Sequence, residues 1–359
     1  MATRRLATTL ALTLLFLAAP ASHATTYTAS YREHAAEVER FLDFGSQDYR
    51  KVARFCSKHA GQEVCEWQYP PEMMKDADLG YRPRPLAEVR HIARTERGLI
   101  YDAVYHFDEF GRRVAPVDAP ENRDKFLLLY GCSYTYGNGL NDDQTLNYHL
   151  GRELKDFHPY NYAIGASGPN SMLALIQEDR FRNEIPQKRG VFIYVFLEGS
   201  HVNRAVGKPP SISWIADTPY YDRKGDELVR RGSLITGRPV QSIFYLALFK
   251  TLKLLRGQAD EELMGHTDED YEYACALVRK SRDTFLEQYP GSRFIVYNHP
   301  IGLPLDERSK RCFETHGIEY YQGKIDHVPG LTIPGDGHPT AKATALVADD
   351  LARIVRRKN

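Results

Sequence analysis

Apolar and polar residues are distributed along the chain in two regimes that meet near residue 120. From Asp124 onward, short unbroken apolar runs alternate with stretches of helical spacing. Phe126–Tyr130, Val191–Leu197 and Phe294–Asn298 read as strands buried on both faces, as in a parallel sheet. Tyr160–Ile164 and Glu319–Tyr321 are shorter strand candidates. Leu146–Phe157, Met172–Ile185 and Ala341–Val355 place apolar residues at helical spacing. Arg356, Arg357 and Lys358 follow the last of these, beside the negative end of its dipole. Strands alternating with helices predict an α/β fold, a doubly wound parallel sheet flanked by helices. No internal repeat or low-complexity tract interrupts the pattern.

Between Thr25 and about Ala119 that rhythm is missing. His34–Phe44 has helical spacing. Leu99–Val114, with Asp108-Glu109-Phe110-Gly111 in its middle, reads as a hairpin with a glycine turn. Tyr69-Pro70-Pro71 and the pair Pro83 and Pro85 mark irregular chain. Residues 25–119 are therefore read as an N-terminal extension packed on a main domain of residues 120–359. Within that domain, about 205–241 is an insertion after the third strand, carrying Trp214, Tyr220, Tyr221 and a hairpin-like Asp222-Arg223-Lys224-Gly225. Long loops at the carboxyl ends of sheet strands often shape a ligand crevice. The very apolar Ile243–Leu255 carries Lys250 and Lys253 and reads as a core or lid helix rather than a membrane segment.

The first residues belong to a different class. Arg4 and Arg5 precede the apolar stretch Leu6–Ala19, Pro20 breaks it, and Ser22-His23-Ala24 sets small residues at the −3 and −1 positions of a signal-peptidase site. Residues 1–24 read as a signal peptide, with an uncleaved anchor as the alternative, and the protein as exported, periplasmic or extracellular. The full chain of 359 residues has 47 basic and 47 acidic side chains; cleavage removes two arginines and leaves a small acidic excess. That balance makes no electrostatic case for nucleic acid. Export permits disulfides. Among the five cysteines, Cys56 and Cys65 lie close together in a polar, loop-like segment and are the first candidates to pair. Cys275 and Cys312 form a second pair or remain buried thiols, and Cys132 is the odd one out. No Cys/His cluster has zinc spacing.

Candidate chemistry sits in two places. Gly131-Cys132-Ser133-Tyr134-Thr135 follows the strand Phe126–Tyr130, where a serine at the carboxyl edge of the sheet would project into the crevice, its own N–H facing a developing oxyanion. The segment lacks the lysine of a phosphate-binding P-loop and the GxSxG elbow of α/β-hydrolases. Pro334-Gly335-Asp336-Gly337-His338-Pro339 precedes the last helix. There a carboxylate two residues from a histidine can turn back onto one ring nitrogen and leave the other to accept a proton. His299, after a strand, reads as loop-supporting. His91, His106, His149 and His158 read as structural, Asp142 and Asp143 as helix caps, and Arg204 as a salt-bridge partner.

Together these segments resemble the SGNH, or GDSL, hydrolases. Gly131-Cys132-Ser133 is similar to that family's first block, with cysteine in place of aspartate, and Asp336-Gly337-His338-Pro339 to its last. Asn161-Tyr162-Ala163-Ile164-Gly165-Ala166-Ser167-Gly168 resembles the second block, whose backbone supplies an oxyanion donor, here Ala166 or Gly168. The third block departs: Glu198-Gly199-Ser200-His201-Val202-Asn203 stands where the family has Gly-x-Asn-Asp, so His201, with Asn203 behind it, takes the donor position. The resemblance implies a flavodoxin-like sheet and an exported serine esterase with Ser133 as nucleophile, His338 as base and Asp336 as its partner. No cofactor or metal is implied. The implied substrate is an acylated carbohydrate or small ester, with no nucleic acid and no membrane span after signal cleavage. A polysaccharide O-acetyltransferase using the same triad and a non-catalytic glycan-binding envelope protein are the alternatives.

Overall fold

Where a run of apolar residues is buried on both sides, alternate side chains must find two separate cores, and the central sheet of this chain is built that way. A computed structural model describes residues 53–59, 62–256, 264–326 and 328–357, all within one compact unit, Val52–Asn359. The signal-like segment and the helix expected over His34–Phe44 lie outside the described residues.

The described chain begins with antiparallel structure. Strands β1 (Ala53–His59) and β2 (Gln62–Tyr69) pair with Cys56 opposite Cys65, and these two are disulfide-bonded. This segment was expected to be a loop, because its many polar residues mask the few buried positions, Val64, Cys65 and Trp67. Strands β3 (Met73–Asp76) and β4 (Gly80–Pro83) form a short ribbon. Strands β5 (Glu88–Thr95) and β6 (Gly98–His106) complete a four-stranded sheet in the order β1-β2-β5-β6. The expected hairpin over Leu99–Val114 is thus displaced. Strand β6 pairs upstream with β5, and the turn at Asp108 closes only on the isolated bridge between Phe107 and Arg113.

The α/β part follows. It runs β7 (Lys125–Tyr130), α1 (Ser133–Tyr136), α2 (Leu146–Glu153), β8 (Phe157–Asn161), α3 (Pro169–Gln177), α4 (Arg180–Glu184), β9 (Gly190–Phe196) and α5 (Ser200–Val206). The insertion supplies α6 (Ile212–Ile215), the hairpin β10 (Pro219–Lys224) and β11 (Glu227–Ser233), and α7 (Leu234–Gly237). Then come α8 (Pro239–Arg256), α9 (Asp268–Gln288), β12 (Arg293–Asn298), α10 (Glu307–Thr315), β13 (Glu319–Gln322) and α11 (Ala341–Arg356). Five strands form one parallel sheet in the order β8-β7-β9-β12-β13. Leu127, Leu129, Ile193, Val195 and Ile295 point to one face, against Leu146 and Leu150 of α2 and Val347, Leu351 and Val355 of α11. Phe126, Leu128, Phe192, Tyr194 and Val296 point to the other, under Met172 and Ile176 of α3 and Leu277 and Phe285 of α9. Helices on both faces of a parallel sheet make the fold doubly wound, as its alternating pattern predicts.

The helix expected over Met172–Ile185 is broken at Asp179, which has φ +52°. Helix α8, expected as a core or lid helix, is half-buried: Tyr245 packs with Ile212, Ile215 and Leu234, and Val240, Ile243, Phe244 and Leu254 are exposed. Helix α9 was not foreseen. Its inner positions include Asp270, Ala274 and Ser281, which weakens the apolar period, and the Cys275–Cys312 disulfide ties it to α10. Cys132 is a free, buried thiol. Among the described residues no helix is long and apolar enough to cross a membrane. Leu351, with no exposed surface, holds α11 to the sheet. Leu351→Ala is expected to lower the unfolding free energy by about 2–5 kcal/mol in urea titration, and a loss well below that range would contradict the packing described.

Candidate active site

The turn that presents Ser133 depends on the absence of a side chain at residue 131. A Cβ on Gly131 would lie 2.2 Å from the Thr135 hydroxyl and 3.0 Å from the Val195 carbonyl. Only glycine lets the chain pass from β7 straight into α1, whose first residue is the half-buried Ser133. The strand order places the reversal of winding between β7 and β9, so the crevice of a doubly wound sheet opens beside this serine.

The second segment is a closed turn. Ile333 accepts from the N–H groups of Asp336 (3.2 Å) and Gly337 (2.9 Å) and donates to the His338 carbonyl (2.8 Å). Gly335 and Gly337 hold φ of +83° and +90°, a region glycine enters without steric cost. The turn folds the nearly buried Asp336 carboxylate back so that it accepts from the His338 N–H (3.3 Å) and from Nδ1–H (2.6 Å). With its proton directed at the carboxylate, the ring keeps Nε2 as an acceptor. The Ser133 hydroxyl donates to Nε2 at 2.8 Å, across 205 residues of sequence. Tyr134 reinforces the junction by donating to the Gly337 carbonyl at 3.2 Å.

A third loop, after β8, borders the serine turn. The Gly131 carbonyl accepts from the Ile164 N–H (3.2 Å) and the Ser167 hydroxyl (2.7 Å). Asn161 donates to the Thr135 carbonyl (3.2 Å) and to Asn147 (3.2 Å). Ala166 is held at φ +60°, an unusual conformation for a residue with a Cβ. Among the described residues, none accepts from the N–H of Ser133, Ala166 or Gly168. The two glycine-linked segments and this loop thus bring Ser133, His338 and Asp336 together, with free backbone donors nearby.

His201 and Asn203 are not arranged as expected. Register counting from Gly199 treats this stretch as a loop, but the chain enters α5 at Ser200 and turns both side chains inward. The His201 ring is fully buried, stacked on Tyr194 and edge-on to Phe196. Its Nδ1 accepts from the Tyr194 hydroxyl (2.8 Å) and the Leu197 N–H (3.3 Å), and its Nε2 is unpartnered and sealed from solvent, out of reach of a substrate oxygen in this arrangement. The Asn203 amide donates instead to the Pro209 carbonyl at 3.3 Å. Arg204 makes no salt bridge among the described residues and donates to the Ser167 carbonyl at 3.1 Å. Asp142 is no helix cap. It accepts from Arg113 at 2.7 Å and faces His106 at 2.6 Å, and Thr145 stands at the start of α2.

Sequence reasoning missed a set of polar residues behind the site. The Asn138 amide nitrogen lies 3.5 Å from His338 Nδ1 and donates to the Tyr101 hydroxyl at 3.3 Å, and Tyr101 leads on to Glu66 and His91. These residues come from β2, β5, β6 and the turn after α1, and no local motif joins them. His299 is buried. Its Nδ1 accepts from the Ile301 N–H, and its ring packs edge-on to Tyr134, which in turn meets His338. Among the described residues, no group of three or more His, Cys, Asp or Glu side chains is placed to hold a metal ion.

No family model matches the chain, and no curated protein matches it. Several solved structures do. A member of the lipolytic G-D-S-L family from Veillonella parvula shares 10% identity, covering 65% of this chain and all of its own, at a TM-score of 0.37. An acetyl xylan esterase from Butyrivibrio proteoclasticus shares 10% identity over 87% of this chain and 96% of its own, at a TM-score of 0.38. A psychrotrophic esterase from a Pseudoalteromonas species shares 14% identity over 64% and 96%, at a TM-score of 0.34. At these identities and TM-scores the likeness lends nothing to a functional assignment, which rests on the geometry of the site.

Burial lowers the pKa of His299 from 6.5 to about 4. Between those values the unfolded chain binds the proton and the folded chain does not, so the stability present above pH 6.5 is lost as pH falls toward 4. His201 is shifted the same way by burial. His299→Gln is expected to flatten the pH dependence of urea unfolding across this window, by up to about 1.4 kcal/mol per pH unit. A slope unchanged by the substitution would contradict the neutral, buried state of the ring.

Proposed function

We propose that this chain is a serine ester hydrolase of the SGNH/GDSL type, acting through an acyl-serine intermediate. The observation that carries this reading is the continuous relay from the Ser133 hydroxyl to His338 Nε2 (2.8 Å) and from His338 Nδ1–H to Asp336 (2.6 Å). In the forward step Ser133 Oγ attacks the ester carbonyl carbon while its proton passes to Nε2. Asp336 keeps the ring in the required tautomer and stabilises the imidazolium that forms. The tetrahedral oxyanion is met by the Ser133 N–H and by the free N–H groups of Ala166 and Gly168. Donors of this kind each contribute about 10²–10³ in rate. Collapse expels the alkoxide, which takes the proton from Nε2 and leaves as the alcohol. Water, deprotonated by the same nitrogen, then attacks the acyl-serine, and the acid departs as Ser133 recovers its proton.

The setting we propose is outside the cytoplasm. Two disulfides, Cys56–Cys65 and Cys275–Cys312, suit an oxidising compartment and agree with the signal-like first 24 residues. In that compartment the proposed substrates are acetyl or other short acyl esters of carbohydrates. Incubation of the protein with p-nitrophenyl acetate and a fluorophosphonate probe tests the reading. Ser133→Ala and His338→Ala are each expected to lower kcat by at least about 10³-fold, and Ser133→Ala is expected to abolish labelling. Labelling that persists at another residue in Ser133→Ala would overturn the assignment. In the presence of an acylated polysaccharide, free acetate is the expected product; acetyl groups appearing on an added sugar acceptor would make the protein a transferase.

A further inference from the structure

We infer that the antiparallel sheet of residues 53–106 supplies positioning residues to the site, with Tyr101 and Asn138 set behind His338 and the Glu66 carboxylate beyond them favouring the imidazolium through its negative charge. This rests on the triad reading above. The inference starts from how closely that sheet is wedged between the two site segments. Tyr101 packs with Val64 and Ala93 of its own sheet and with Leu140 and Ile333 from the serine and histidine turns. A Cβ at Gly139 would stand 2.9 Å from the Tyr101 ring and 2.8 Å from Ile333, so neither side of the seam can slide.

The charge on Glu66 then fixes the hydrogen-bond direction. The Gly139 N–H donates to the Tyr105 hydroxyl (2.7 Å), which meets His91 Nδ1 at 3.1 Å. His91 Nε2–H donates to Glu66 Oε2 (2.8 Å), because an ionised carboxylate only accepts. The Tyr101 hydroxyl accepts from Asn138 (3.3 Å) and donates to the same Glu66 oxygen (3.2 Å). Both hydrogen bonds at this oxygen point toward Glu66, which only accepts. Burial pushes the Glu66 carboxyl up, but the hydrogen bonds from His91 and Tyr101 hold it below the usual carboxylate range, so it stands as an anion. His91, Tyr101 and Tyr105 are buried, so this charge is poorly screened on the side that faces the site.

The groups facing Glu66 are His91 from β5, Tyr101 from β6 and Asp336 from the turn before α11. Glu72 stands 3.8 Å from His91 Nδ1, and burial raises its pKa. The groups facing His338 are Asp336, Ser133, Asn138 and the edge of Tyr134. An imidazolium formed at His338 is thus opposed by Asp336 directly and by Glu66 one hydroxyl and one amide further on. The sheet is in this sense part of the catalytic apparatus, although it contributes no residue that touches substrate.

The test is the pH profile of kcat/KM for p-nitrophenyl acetate in the wild type, Glu66→Gln and Tyr101→Phe. Glu66→Gln keeps the volume and an acceptor for Tyr101 but removes the charge. Tyr101→Phe keeps the ring in the seam and cuts the link. Glu66→Gln is expected to move the acid limb of the profile to lower pH by about 0.5 unit, the effect of one charge acting through partly wet protein, and Tyr101→Phe, which keeps that charge, by less. Glu66→Gln is also expected to lower kcat roughly threefold with KM unchanged, the rate equivalent of that shift. Loss of stability alone would lower the active fraction and leave the limb where it is. Failure of a fluorophosphonate to label Ser133 in the wild type would remove the triad reading itself. Wild-type labelling with the limb unmoved in Glu66→Gln would overturn this inference and leave the triad intact. If Glu66→Gln does not fold, Glu66→Met, uncharged and of similar volume, decides in its place.

Discussion

The two hydrogen bonds on the His338 ring hold together parts of the chain that have no other reason to meet. One side of the ring is fixed locally: Asp336 is two residues away, and two glycines in left-handed conformations bend the carboxylate onto Nδ1. The other side depends on the whole sheet. Strand β7 must end where it does, and Gly131 must be bare, before Ser133 can reach Nε2. Much of the architecture serves this approach. The parallel sheet sets the position of the serine turn, and α11, packed through Val347 and Leu351, sets the position of the histidine turn that leads into it.

Two anchors of that kind leave the relative height of the turns open by the small amounts that matter for proton transfer. The antiparallel sheet closes the gap. Its Tyr101 lies between Leu140 and Ile333, and its Tyr105 and Phe107 pack on Tyr136 of α1. Arg113, just beyond β6, donates to the carbonyls of Tyr136, Gly137 and Leu140 and pairs with Asp142, so the far side of the serine turn is clamped as well. Apolar contact supplies the rigidity and the buried hydrogen bonds supply the register. A buried polar network is stable only when fully satisfied, and a partner that drifted would leave several donors unpaired at once.

The parallel strands were legible because a strand covered on both faces must be a continuous apolar run, and Phe126–Tyr130, Val191–Leu197 and Phe294–Asn298 are such runs. Ser133, Asp336 and His338 stood out because Gly131-Cys132-Ser133 and Asp336-Gly337-His338-Pro339, one at each end of the domain, together resemble the first and last blocks of the SGNH hydrolases. What stayed hidden has a common cause. The antiparallel strands alternate polar and apolar residues in a segment rich in charge, and their inner polar residues, Glu66, His91 and Tyr101, have meaning only once β2, β5 and β6 lie side by side. His201 misled for the converse reason: its place was inferred by counting along a loop, and the chain forms a helix there instead.

If Ser133 is the nucleophile and the aligned ring its base, the enzyme must pass through a covalent ester on that oxygen. Rapid acid quench of the intact protein during turnover of p-nitrophenyl acetate, followed by peptide mass spectrometry, reads this directly. The expected result is an acetyl group on the peptide containing Ser133, located on that side chain and building up within the first turnover. Turnover that proceeds with the acetyl group on another residue, or with no acyl-protein trapped under conditions that preserve acyl-serine, would contradict the proposed mechanism.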